Sequence, residues 1–160
     1  MWRLLWIAAV VFVSDQLTKF AAADYLTRHG DVQLTSFLNF VLVHNTGAAF
    51  GFLSSASGWQ NILFIVVASV ACIVILWMTW RLTTNDHVLG AGLMLVLGGA
   101  AGNLTDRLLH GYVIDFVDVY YRAWHWPAFN VADSAITVGA IMLLLDAMGS
   151  NSTKGHITVK

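Results

Sequence analysis

The sequence predicts an all-α membrane protein, four transmembrane helices with a small β-rich segment at the outer face of the membrane. Composition is the first reason: of 160 residues, 58% are hydrophobic and 11% charged, with mean hydropathy +0.71, where soluble domains carry about 25% charged residues. The second is that four windows, residues 4–22, 59–80, 88–109 and 131–148, are apolar over lengths that cross a hydrocarbon core about 30 Å thick at about 1.5 Å per residue. A net charge of −1 provides no basic surface for nucleic acid, and a single cysteine, Cys72, excludes an internal disulfide and a four-cysteine zinc site. Residues 1–148 therefore read as one integral membrane domain and 149–160 as a disordered tail.

The first span, Leu4 to Ala22, begins like a cleavable export signal, with Arg3, an apolar run to Val13 and Ala21-Ala22-Ala23. Asp15 and Lys19 are foreign to a signal's cleavage region, and at i,i+4 they pair on one helix face. The outer segment 23–57 contains Leu34 to Val43, rich in β-branched and aromatic residues. It ends at the turn signal Asn45-Thr46-Gly47, so a short strand or hairpin is expected. The second span has no charge from Ile62 to Met78. In the third, Gly99, Asn103 and Asp106 form a polar stripe at i, i+4, i+7, and Gly98 and Gly102 allow close approach of a neighbouring helix. The outer segment 110–130 carries Tyr112, Tyr120, Tyr121, Trp124, Trp126 and Phe129, rings that favour the headgroup layer, so it is expected to lie on the bilayer. The fourth span opens after Pro127 with Asn130-Val131-Ala132-Asp133, the pattern of a helix cap. Four crossings put both termini on one side. Arg3, Arg81, Lys154 and Lys160 on that side, against Arg28 and Arg122, make it cytoplasmic.

An ionisable group at membrane depth costs about 2.5–3.5 kcal/mol, so each needs a partner or a task. Of nine acids, Asp106, Asp115, Asp118 and Asp133 cluster between the end of the third span and the start of the fourth. Three have ordinary explanations: Asp106 beside Arg107 as a self-neutralising pair, Asp118 with Arg122 as a surface pair if that stretch is helical, and Asp133 as a cap. Arg107 can also hold substrate carbonyls with its rigid fork. Asp115 has no such explanation, since it sits in Val113-Ile114-Asp115-Phe116-Val117 with no base within four positions.

The loop of residues 116–132 is long enough to bring Asp115 and Asp133 face to face. Two such carboxyls in a low dielectric share a proton, leaving one acid and one carboxylate, the pair needed to activate water against an amide. Asp133 in a helix's first turn is the expected base and Asp115 the acid. No HExxH, no G-x-S-x-G and no ligand spacing among six histidines points to a metal, cofactor or covalent nucleophile. A small proton-coupled transporter using Asp15, Asp106 and Asp115 as a relay stays open on pattern alone.

Five blocks resemble the bacterial lipoprotein signal peptidases (signal peptidase II). They are Asp15-Gln16-Leu17-Thr18-Lys19, Asn45-Thr46-Gly47-Ala48-Ala49-Phe50, Gly102-Asn103-Leu104-Thr105-Asp106-Arg107, Gly111-Tyr112-Val113-Ile114-Asp115-Phe116 and Phe129-Asn130-Val131-Ala132-Asp133-Ser134. The resemblance covers nearly everything from Asp15 to Ile136, and the tail from Gly149 has no family pattern. It implies an intramembrane aspartyl protease of the bacterial inner membrane with catalytic Asp115 and Asp133 near the periplasmic face. The family removes signal peptides from prolipoproteins just before a diacylglyceryl-modified cysteine and is blocked by globomycin. Carried over by motif, Asn45, Asn103, Arg107 and Asn130 line the site, while Asp15, Lys19, Gly47 and Asp106 support it. The acyl chains and signal helix of such a substrate partition into membrane lipid, which presents the scissile bond at the interface. The aromatic segment 110–130 is then a candidate lid, and Leu34–Val43 a strand that holds the peptide backbone. A monomer is expected.

Overall fold

The computed structural model describes residues 2–47, 59–82 and 87–153. Four long helices follow in order: α1 (Leu5–His29), α2 (Trp59–Arg81), α3 (His87–His110) and α4 (Val131–Thr153). Each contains a window long and apolar enough to span a membrane. All four predicted spans are present. α1 runs seven residues past its expected end at residue 22, and α4 continues beyond Met148 to Thr153.

α3 is the central helix: 56% of its most apolar window is buried, against 11% in α2. Its glycines make this possible. A Cβ at Gly98 would come within 2.6 Å of the Ala8 carbonyl oxygen of α1, and one at Gly99 would collide with the Ala132 carbonyl of α4. Only the smallest side chain lets those backbones approach. Below that level Ala8, Ile75, Leu93, Met94 and Leu97 make the apolar core.

The connections at one end of the bundle form an antiparallel sheet in the order β1 (Val32–Gln33), β2 (Leu38–Asn45), β3 (Val113–Tyr121), β4 (Trp124–His125). The expected strand in the first outer segment exists, shifted to end at Asn45. The second outer segment is chiefly the nine-residue β3, where its aromatic content had suggested a loop lying on the bilayer. The run Val113 to Tyr121 buries Val113, Asp115, Phe116 and Asp118, with the strand exposed at Tyr121, and pairs with β2 from Leu38↔Val119 to Asn45↔Val113. The register slips between Phe40 and Val43, and the Phe116 and Val117 amides both donate to the Phe129 carbonyl, at 3.1 and 2.9 Å. This bulge lies directly after Asp115 and sets where that side chain points.

Candidate active site

α1, α3, β2, β3 and the start of α4 each send polar side chains to one place. Its floor is Lys19, 2% exposed, whose ammonium reaches Asp15 Oδ2 at 2.8 Å, Asp106 Oδ2 at 2.9 Å and Asn103 Oδ1 at 2.8 Å. Three donors and three acceptors match, which is the condition under which a buried charge is tolerated. Each acid then does a second task. Asp15 Oδ1 accepts the Ala132 amide of α4's first turn at 2.9 Å, and Asp106 Oδ2 accepts the Ile114 amide beside Asp115 at 3.1 Å. The expected Asp106–Arg107 pair does not form, because Asp106 faces inward to Lys19 and Gln16, whose Nε2 lies 3.0 Å from Asp106 Oδ1.

Above this floor are two carboxyls held by asparagines. Lys19 fixes the Asn103 amide oxygen, so Asn103 Nδ2 donates to Asp133 Oδ1 at 2.8 Å. Asn130 caps α4 reciprocally with Asp133: the Asp133 amide donates to Asn130 Oδ1 at 2.9 Å, and the Asn130 amide donates to Asp133 Oδ2 at 3.2 Å. The same Asn130 gives its Nδ2 to Asp115 Oδ1 at 2.7 Å. One side chain thus touches both aspartates. Asp115 Oδ2 accepts Asn45 Nδ2 at 2.8 Å, and Asn45 Oδ1 accepts the Gly47 amide at 2.8 Å, which fixes that amide's orientation.

Asp115 is 1% exposed. Burial pushes its carboxyl up to about 7, with the nearby Asp133 charge adding to the rise and the Asn45 and Asn130 hydrogen bonds and Lys19 opposing it. Asp133 is only half-buried, so the pair opens on its side. Arg107 has the fields of Asp133, Asp115 and Asp106 upon it and stacks over the Phe64 ring at 4.9 Å. Among the described residues its buried Nε has no hydrogen-bond partner. Such an arrangement provides an acid near neutrality, a second carboxyl and an underused guanidinium, a set able to activate water and hold a carbonyl. The described residues include no group of three metal-ligating side chains.

The family model of signal peptidase (SPase) II matches residues 7–149. The chain belongs to the signal peptidase II family. The lipoprotein signal peptidase of Alteromonas mediterranea is 45% identical over 154 residues, 96% of this chain and 85% of the relative. That of Pseudoalteromonas atlantica is 50% identical over 144 residues, covering 90% and 88%. A bacterial membrane enzyme solved at 2.3 Å by the in meso method superposes with a TM-score of 0.85 at 28% identity, over 100% of this chain and 96% of its own. As a signal peptidase II the chain is a protease and a multi-pass membrane protein, and the proton-transport reading gains nothing from these likenesses.

In this signal peptidase II all ten residues singled out from sequence meet at one end of the bundle. Asp15, Lys19, Asn103 and Asp106 form the floor, Asn45, Asn130, Asp115 and Asp133 the layer above it, and Arg107 and Gly47 one flank. Ala48, Ala49 and Phe50 of the second motif lie outside the described residues. The expected Asp118–Arg122 pair is replaced, because the stretch is a strand. Asp118 is held by His125 Nδ1 at 2.9 Å and Asn39 Nδ2 at 2.9 Å, while Arg122 stacks on Tyr121. Sequence reasoning gave no task to Gln16, although it stands inside a quoted motif, or to Phe64, which has no signal within its apolar run.

Proposed function

We propose that the chain removes the signal peptide from diacylglyceryl-modified prolipoproteins just before the lipidated cysteine, with Asp115 and Asp133 as an aspartyl dyad. The observation that carries this is Asn130, whose side chain hydrogen-bonds Asp115 while its own backbone and amide oxygen cap Asp133. Asp115, pushed up to about 7, enters as the acid. Asp133 accepts two N–H donors in α4's first turn, where the positive end of the helix favours a carboxylate, and acts as base. Asp133 takes a proton from water as its oxygen adds to the scissile carbonyl carbon, and the Asp115 proton goes to the carbonyl oxygen. The gem-diol then collapses: its hydroxyl returns a proton to Asp115, and Asp133 protonates the departing cysteine nitrogen.

Arg107 offers its fork to peptide carbonyls, and Asn45, Asn103 and Asn130 line the mouth. β1 pairs only with Asn39 and Phe40, so the rest of that β2 edge, Val41 to Asn45, is free among the described residues to take an extended substrate backbone. The hairpin Tyr120–Trp126 acts as a groove wall. The protein works as a monomer in the bacterial inner membrane, with cytoplasmic termini and the mouth toward the periplasm. Membrane lipid delivers the diacylated substrate, and globomycin competes for this mouth.

Incubating the purified chain in detergent with a diacylglyceryl-modified prolipoprotein, and following its mass, tests the reading. The expected result is loss of the signal peptide mass, abolished in Asp115→Asn and in Asp133→Asn with helical content kept, and unchanged by a chelator. Cleavage that persists in either variant overturns the dyad. Unchanged turnover after deleting Tyr120–Trp126 removes the groove wall.

A further inference from the structure

An apolar residue of α2 touches two of the site's arms. Phe64 lies on α2 with its ring under the Arg107 guanidinium, centroid to Cζ 4.9 Å. The same ring covers the face of Gly47: a Cβ at Gly47 would collide with the ring carbons Cε2 and Cδ2. Gly47 has φ +103, a conformation that suits glycine, and its amide donates to Asn45 Oδ1, leaving Asn45 Nδ2 to hold Asp115. The ring therefore backs the turn that orients Asn45 and the cation that faces both carboxylates.

Arg107 needs such backing. Its Nη1 contact to the Asn103 carbonyl is long, 3.5 Å, and its Nε is unpartnered among the described residues. A guanidinium with few fixed hydrogen bonds swings on a flexible stem, and an aromatic face confines it to one plane while leaving its N–H edge free. We infer that Phe64 is a positioning residue for substrate binding: its ring aims the Arg107 fork at the substrate backbone and braces the Gly47 turn behind Asn45. This rests on the proposed protease reading of the same site.

The test uses the full chain with Phe64→Leu, Phe64→Tyr, Arg107→Lys and the double variant Phe64→Leu/Arg107→Lys, assayed on the diacylglyceryl-modified prolipoprotein. Leucine keeps an apolar filler and removes the ring; tyrosine keeps the ring. Expected are a KM raised about ten-fold with kcat within about three-fold for Phe64→Leu, and parent-like constants for Phe64→Tyr. In the double variant the combined loss should be clearly smaller than the sum of the two single losses, because the Arg107 share of the Phe64 effect is already gone. An unchanged KM in Phe64→Leu, or independent losses in the double variant, overturns the inference. A second readout needs no catalysis: phenylglyoxal labelling of Arg107, read by peptide mass, is expected to be faster in Phe64→Leu than in the parent and in Phe64→Tyr. Equal labelling rates contradict the assignment even if the parent cleaves nothing, which is the result that would refute the protease reading instead.

Discussion

α2 and α3 are both long apolar helices, but they solve different problems. α2 is the more apolar of the two, yet only 11% of its spanning stretch is buried, against 56% of α3. The more hydrophobic helix is the peripheral one, because side chains that face lipid need only be apolar, while a central helix must let other backbones near. α3 achieves this with glycines at 98, 99 and 102 and then spends its last turns on Asn103, Asp106 and Arg107. Hydropathy therefore locates spans, and small residues followed by polar ones locate the centre of the bundle and its site.

Substitutions can break or sharpen that contrast. The largest effect is expected at Lys19→Met, which leaves Asp15 and Asp106 buried without their cation, a loss of about 3–5 kcal/mol measurable as a fall in melting temperature in detergent. Gly99→Ala comes next, about 1–3 kcal/mol, since the Ala132 carbonyl on α4 is backbone and gives way little. Asn130→Ala removes the side-chain half of the cap, about 1 kcal/mol of stability, and takes away the hydrogen bond to Asp115 Oδ1, so cleavage should fall far more than the melting temperature does. Smallest is Val66→Ala on the exposed face of α2, within about 0.5 kcal/mol. A Val66 variant as damaging as Gly99→Ala would show that α2 is not peripheral.

Much of this was legible in the chain. The spans follow from length and apolarity, and the isolation of Asp115 in an apolar strand marked it before any contact was known. Asp133 was legible as a cap, and the structure shows the cap, with the Asn130 side chain that completes it also hydrogen-bonded to Asp115. Nearest-neighbour charge logic misled where the backbone was not helical or where a partner came from another element. Asp106 turns from Arg107 to Lys19, 87 positions away in sequence, and Asp118 pairs across a strand turn with His125. Phe64 was illegible because in a run of lipid-facing residues nothing distinguishes a ring that packs on a glycine from one that faces acyl chains.

The pH dependence of cleavage tests the proposed proton-donor role of Asp115 most directly. Asp115 must be neutral to donate, so kcat/KM should fall as pH rises through about 7, the value to which burial pushes its carboxyl. The Asn45 hydrogen bond pulls that value down, so Asn45→Ala should move the falling limb to higher pH as well as lowering the rate. A rate that stays level from pH 6 to 9, or a limb that Asn45→Ala leaves in place, would contradict Asp115 as the proton donor.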